Sequence, residues 1–115
     1  MVMQMGAEKQ FEDKVKKYLK DHGAWVLKTW SNGVQRQGIP DLLVCMNGYF
    51  IAIELKAENG HPTKLQEWNV QQIRNAGGVA FVLYPHQWNQ FQNMIHLLEH
   101  DKSWRWMQLS FDERG

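Results

Sequence analysis

Apolar positions along the chain change period several times, and each change marks an element. Over "AEKQFEDKVKKYLKDH" (7–22), Phe11, Val15, Tyr18 and Leu19 fall on one helical stripe, and Gly23 supplies a C-terminal stop. "AWVLKTW" (24–30) alternates in the manner of a strand, and "SNGVQRQG" has loop chemistry. Two β-rich runs follow, "DLLVCM" and "YFIAIELK", joined by Asn47-Gly48, the strongest short hairpin signal. After "AENGHP", Thr63 can cap a helix running to about Asn75, which Gly77-Gly78 ends. "VAFVLYP" (79–85) predicts a buried strand and 87–100 a last helix, while "WRWMQLSF" offers a further edge strand. The expectation is one α/β domain over 1–115, ordered helix, three strands, helix, strand, helix, with a mixed central sheet flanked by helices.

Composition narrows the function classes only modestly. The 115 residues, 43% of them hydrophobic, suffice for one core without covalent staples. The single Cys45 cannot close an internal disulfide, and its apolar run predicts a buried thiol in a reducing cytosol. A cytoplasmic protein of bacterial or phage type is expected. No apolar run approaches the roughly 18 residues of a membrane span, and the N-terminus lacks the order of a signal peptide. With a net charge of +1, an anionic partner must be held by a local basic patch.

The hairpin carries the chemistry. A two-residue turn at Asn47-Gly48 pairs Met46 with Tyr49, which brings Asp41 opposite Glu54 and puts Lys56 on Glu54's face. Leu43, Cys45, Phe50 and Ala52 continue that face, and Leu42, Val44, Met46, Ile51 and Ile53 make the other, so both faces are expected to be covered. Directly opposed carboxylates repel, and one is pushed toward protonation unless a cation lies between them. Their oxygens suit a hard cation such as Mg²⁺, which fills its remaining positions with water and phosphate oxygens. A structural reading takes the residues one at a time, with Lys56 neutralising Glu54 and Asp41 capping the loop after Pro40. It does not explain why all three meet on one face.

Pro40-Asp41, a hairpin, then Glu54-Leu55-Lys56 resembles the PD-(D/E)xK nuclease motif. With Gly38, Gln66 and Gly77-Gly78 in order, residues 8–84 resemble the VRR-NUC branch, related to Holliday-junction resolvases. The resemblance implies a restriction-endonuclease-like core. It implies metal ligation by Asp41, Glu54 and the backbone carbonyl of Leu55, with Lys56 orienting the attacking water or steadying negative charge. Gln66 would reach back to that water or to a phosphate, although an ordinary exposed helix glutamine is the plain alternative. The family also places a glutamate on the first helix. Taking Val15 as zero at 100° per residue, Glu8 falls near about +20°, inside the apolar arc, and Glu12 near about +60°, at its edge. The spacing "E-x-x-F-x-x-x-V" also favours Glu8, whereas counting back from Gly23 favours Glu12; Glu8 is preferred and Glu12 held in reserve.

Other polar features add less. Lys9, Lys16 and Lys20 cluster beside the Glu8 arc, and Lys28, Arg36 and Lys64 flank the charged end of the hairpin. Each group is a phosphate-contact candidate or simply a solvated face. Trp30, Asn32 and Arg36 could approach DNA from their loop. His96 and His100 have a spacing that clasps zinc, but no third ligand suggests itself and the glutamate placement of H-E-x-x-H is missing. Trp88, Trp104 and Trp106 suit either an oligomer interface or core packing. The expectation is therefore a Mg²⁺-dependent DNA endonuclease, with Mn²⁺ substituting, structure-specific for junctions or flaps or else nicking. A homodimer is expected, with no small-molecule cofactor and no membrane. The rival is a catalytically silent nucleic-acid-binding domain of the same fold.

Overall fold

The computed structural model describes residues 6–30 and 37–101. The elements follow in the expected order: α1 (Ala7–Asp21), β1 (Trp25–Lys28), β2 (Leu42–Met46), β3 (Tyr49–Leu55), α2 (Lys64–Asn75), β4 (Val79–Leu83) and α3 (Trp88–His100). A 3₁₀ turn at Pro85–Gln87 leads into α3. Asn32, Arg36, Trp104, Trp106 and the C-terminal strand expected from "WRWMQLSF" lie outside the described residues. Among the described residues, no helix is long and apolar enough to cross a membrane.

The strands lie in the order β1-β2-β3-β4, antiparallel except for the parallel pair β3–β4. Asn47 (φ 52°) and Gly48 (φ 87°) adopt the left-handed backbone of a type I′ turn, whose twist matches the flanking strands. The register is the one the turn demands, from Met46 opposite Tyr49 to Leu42 opposite Ile53.

The two faces of the sheet are covered unequally. Phe11, Val15 and Leu19 of α1 and Phe91 and Ile95 of α3 pack on Leu42, Val44, Met46, Ile51, Ile53 and Leu55, forming the main core. On the opposite face α2 brings Val70 and Ile73 against Leu43, Ala52 and Ala80, a much smaller cluster. The expectation that both hairpin faces are covered fails here. Phe50 is 47% exposed, Trp25 on β1 is 60% exposed, and Cys45 between them is exposed rather than buried. One short helix shields the β3–β4 side and leaves the β1–β2 side open.

Candidate active site

Residues expected to carry chemistry meet at the end of the sheet where β1 and β3 finish and β2 begins. Thr29 positions Asp41: its backbone N–H donates to the Asp41 carbonyl (2.8 Å), and its hydroxyl donates to the carbonyl of buried Pro40 (2.8 Å). Gly38, just before, has φ +80° and lies so close to Leu65 that a Cβ would sit 2.5 Å from that side chain. Its carbonyl accepts from Asn69 of α2 (3.0 Å), so the "GIPD" stretch is held between β1 and α2. Position 38 therefore needs glycine both for its backbone conformation and for its space.

Asp41 lies one position beyond the β2–β3 ladder, next to the Leu42–Ile53 pair. Its Oδ2 accepts the Leu55 backbone N–H at 2.8 Å, and Oδ1 lies 3.8 Å from the Lys28 ammonium. Glu54 is 1% exposed. Its Oε2 is 3.3 Å from Lys56 Nζ, and its Oε1 is the buried side-chain polar atom, among the described residues, with no hydrogen-bond partner. Burial, and then the charge of Asp41, push the Glu54 carboxyl up from 4.5 to about 7 despite Lys56. A buried carboxylate with an orphaned oxygen is costly, and cation binding would relieve it.

The structure sets the two first-helix glutamates apart by burial. Glu8, the preferred residue, is exposed in the first turn of α1, where a negative charge favours the helix terminus. Glu12, held in reserve, is 8% exposed. Its carboxylate meets Lys28 at 3.0 Å and Lys16 at 3.1 Å. Burial pushes the Glu12 carboxyl up, but hydrogen bonds from Lys28 and Lys16 outweigh it and leave the group below the ordinary range. Glu12 is buried at the edge of the apolar arc because its neighbour comes from β1. Lys28 points to the α1 side of the sheet, as does Val26, and reaches the edge of the helix's apolar arc. Both glutamates nonetheless border one open cleft of about 380 Å³, with Lys9, Lys28, Asp41 and Leu55.

Lys28 is thus the functional candidate that sequence reasoning weighed too lightly. It bridges Glu12 and Asp41, and strand alternation from Val26 already carried the signal. Gln66 is placed elsewhere. Its amide oxygen accepts the Thr63 N–H (2.8 Å) while its own N–H donates to the Thr63 hydroxyl (3.1 Å), a capping box that starts α2. Lys9 pairs with Asp13 (2.9 Å) and Lys16 with Glu12, so these lysines already have anionic partners within the helix. Exposed Trp30 has Lys28 Nζ 5.4 Å from its ring centroid, and Trp88 packs with Tyr18 and Phe91 against the core.

Asp41, Glu54 and Glu12 do not close to within 4.8 Å of one another as a set, which accords with like charges held apart around Lys28. The donor set is all oxygen, the kind a hard cation such as Mg²⁺ takes, and the orphaned Glu54 Oε1 adds an acceptor that no donor among the described residues meets.

No curated protein matches this sequence. Among solved structures, a VRR_NUC domain superposes with a TM-score of 0.61 at 29% identity, covering 81% of this chain and 95% of its own. A second VRR_NUC domain protein has a TM-score of 0.54 at 20% identity over 71% of this chain and 80% of its own, which speaks to the fold alone. The mixed sheet flanked by helices is the fold these domains share. A family model described as archaeal Holliday junction resolvase (Hjc) matches residues 3–107. With nearly the whole sequence matched, the chain belongs to the archaeal Holliday junction resolvase family.

Proposed function

We propose that this protein is a Mg²⁺-dependent DNA endonuclease acting on branched DNA, with Asp41, Glu54 and the Leu55 carbonyl holding the ion. The observation that carries this reading is Glu54: a buried carboxylate beside Asp41, with one oxygen unpartnered and a raised pKa, in a chain of the resolvase family. The chemistry such an ion supplies is Lewis-acid polarisation of the phosphodiester and easier ionisation of water. The protein's own groups do the rest. Lys56, 3.3 Å from Glu54, contributes a fixed positive charge where negative charge develops on the phosphate. Glu12 takes the place first given to Glu8 and acts by fixing Lys28, which it holds at the mouth of the cleft beside Asp41. Gln66 contributes through the α2 cap, and a direct role needs its amide to leave Thr63.

Cutting both strands of a branched duplex requires two such sites, which supports a homodimer. The exposed strip Trp25, Leu27 and Phe50 on the thinly covered face is one apolar surface for it among the described residues. Phe50→Asp should then give a monomer by sedimentation, and an unchanged assembly would place the dimer contact elsewhere.

The direct test is incubation with labelled four-way-junction, flap, duplex and single-stranded DNA. Cleavage of branched forms with Mg²⁺ or Mn²⁺, little turnover with Ca²⁺ and none in EDTA is expected. Tight junction binding without cleavage under any of these ions would favour the silent DNA-binding reading.

A further inference from the structure

Away from the carboxylate cleft, the C-terminal turn of α3 carries a second set of ligating groups. His96, Glu99 and His100 stand at i, i+3 and i+4, on one side of the helix. One ligand atom from each lies within 4.8 Å of the other two, and the two imidazole rings are 4.5 Å apart between centroids at 66°. His22, the residue that ends α1, meets Glu99 Oε1 through its Nδ1 at 3.0 Å. His22 stands ten positions beyond Glu12, an axial rise of about 15 Å along α1.

We propose that His96, Glu99 and His100 bind one borderline transition-metal ion, Zn²⁺ foremost, with His22 orienting Glu99 from the neighbouring helix. The donor set decides the ion: two imidazoles and a carboxylate suit Zn²⁺ and its neighbours, whereas Mg²⁺ takes oxygen. Three protein ligands leave the remaining coordination to water. His22 plays the part of the outer partner that fixes a ligating side chain.

Two features make the turn a ready host. The C-terminal end of a helix carries partial negative charge from its unsatisfied carbonyls, which favours a cation there. The turn is also pinned: the Asn47 amide donates to the Leu98 carbonyl at 2.9 Å, and the Tyr49 hydroxyl bonds the Asp101 carboxylate. Two exposed histidines near a helix end have a plain explanation in that same dipole. It does not account for their convergence with a glutamate tied to another helix. Because Glu99 is committed to His22, the ion is a structural clamp between the ends of α1 and α3.

The test uses untagged full-length protein with excess Mg²⁺ present to fill the carboxylate cleft, Co²⁺ as the spectroscopic probe and Zn²⁺ as its competitor. Expected are visible Co²⁺ bands saturating at one ion per chain, displacement by Zn²⁺, and a Zn²⁺-dependent rise in melting temperature. His96→Gln and His100→Gln should each weaken binding at least tenfold while melting like wild type in EDTA, since both rings are exposed. His22→Gln should weaken it less. Asp41→Asn and Cys45→Ala should leave the bands unchanged, which excludes the cleft and the exposed thiol as the source. Absence of Co²⁺ bands at mid-micromolar metal, or bands that persist in the His96→Gln/His100→Gln double variant, would overturn the proposal.

Discussion

Glu12 and Glu54 are the same residue type, both buried, at the same end of the sheet, yet their surroundings have opposite effects. On the α1–β1 wall, Glu12 has two ammonium groups near 3 Å, and its carboxyl is pulled below the ordinary range. On the β2–β3 floor, Glu54 has one lysine at 3.3 Å, a neighbouring carboxylate and an oxygen with no partner, and its carboxyl rises to about 7. Burial alone therefore does not mark a site. Glu12 is a completed ion cluster that ties a helix to a strand, whereas Glu54 carries an electrostatic deficit that a cation would fill.

The contrast breaks most visibly in activity. Asp41→Asn and Glu54→Gln should each lower junction cleavage by on the order of 10²–10³-fold, the scale for losing one preorganised charge at a reacting centre. Cleavage at the wild-type rate in either variant would move the metal site elsewhere. In metal-free protein the two glutamates should then separate by sign. Glu12→Gln should cost about 1–2 kcal/mol in urea unfolding, because Lys28 and Lys16 lose a charged hydrogen-bond partner. Glu54→Gln at pH 8 should be neutral or stabilising, since it removes a buried, under-partnered charge. Equal destabilisation by both substitutions would erase the distinction.

How much of this was legible beforehand depends on whether the cause was local. The hairpin register followed from Asn47-Gly48 because two positive-φ residues leave one closing pair. The meeting of Asp41, Glu54 and Lys56 followed from that register by alternation. The burial of Glu12 did not, because its partner Lys28 lies sixteen positions along and on another element. Helical periodicity sees only one helix's own stripe. The burial of Cys45 was misjudged for a related reason: an apolar strand face says that something can cover it, while the reach of α2 over Ala52 and Ala80 rather than Phe50 is set by packing. Gln66 had two readings on the sequence, and its spacing from Thr63 was the signal for the cap.

A smaller effect, in pH dependence, sharpens the comparison. Glu54's folded-state value is raised, so the native state keeps a proton that the unfolded chain loses, and stability falls as pH rises from 4.5 to about 7. The full difference is on the order of 3 kcal/mol at 1.36 kcal/mol per unit. The gap between wild type and Glu54→Gln should change by that amount between pH 4.5 and about 7 and stay constant above it, where the curves run parallel. Glu12 works in the other direction. Its lowered value contributes stability that is present above the ordinary carboxylate range and is lost as pH falls through its folded-state value, so the Glu12→Gln penalty should shrink in acid.

Thermal melting at pH 8, with EDTA and with Mg²⁺, of wild type, Asp41→Asn and Glu54→Gln tests the central claim most directly. Wild type should gain about 2.7 kcal/mol at an Mg²⁺ concentration a hundredfold above Kd, a rise of several degrees, because the ion binds only the folded form. Both variants should melt in EDTA at or above the wild-type temperature and gain little from Mg²⁺. A wild type indifferent to Mg²⁺, or variants that melt early in EDTA and still respond fully to Mg²⁺, would show that Asp41 and Glu54 are structural carboxylates rather than a cation site.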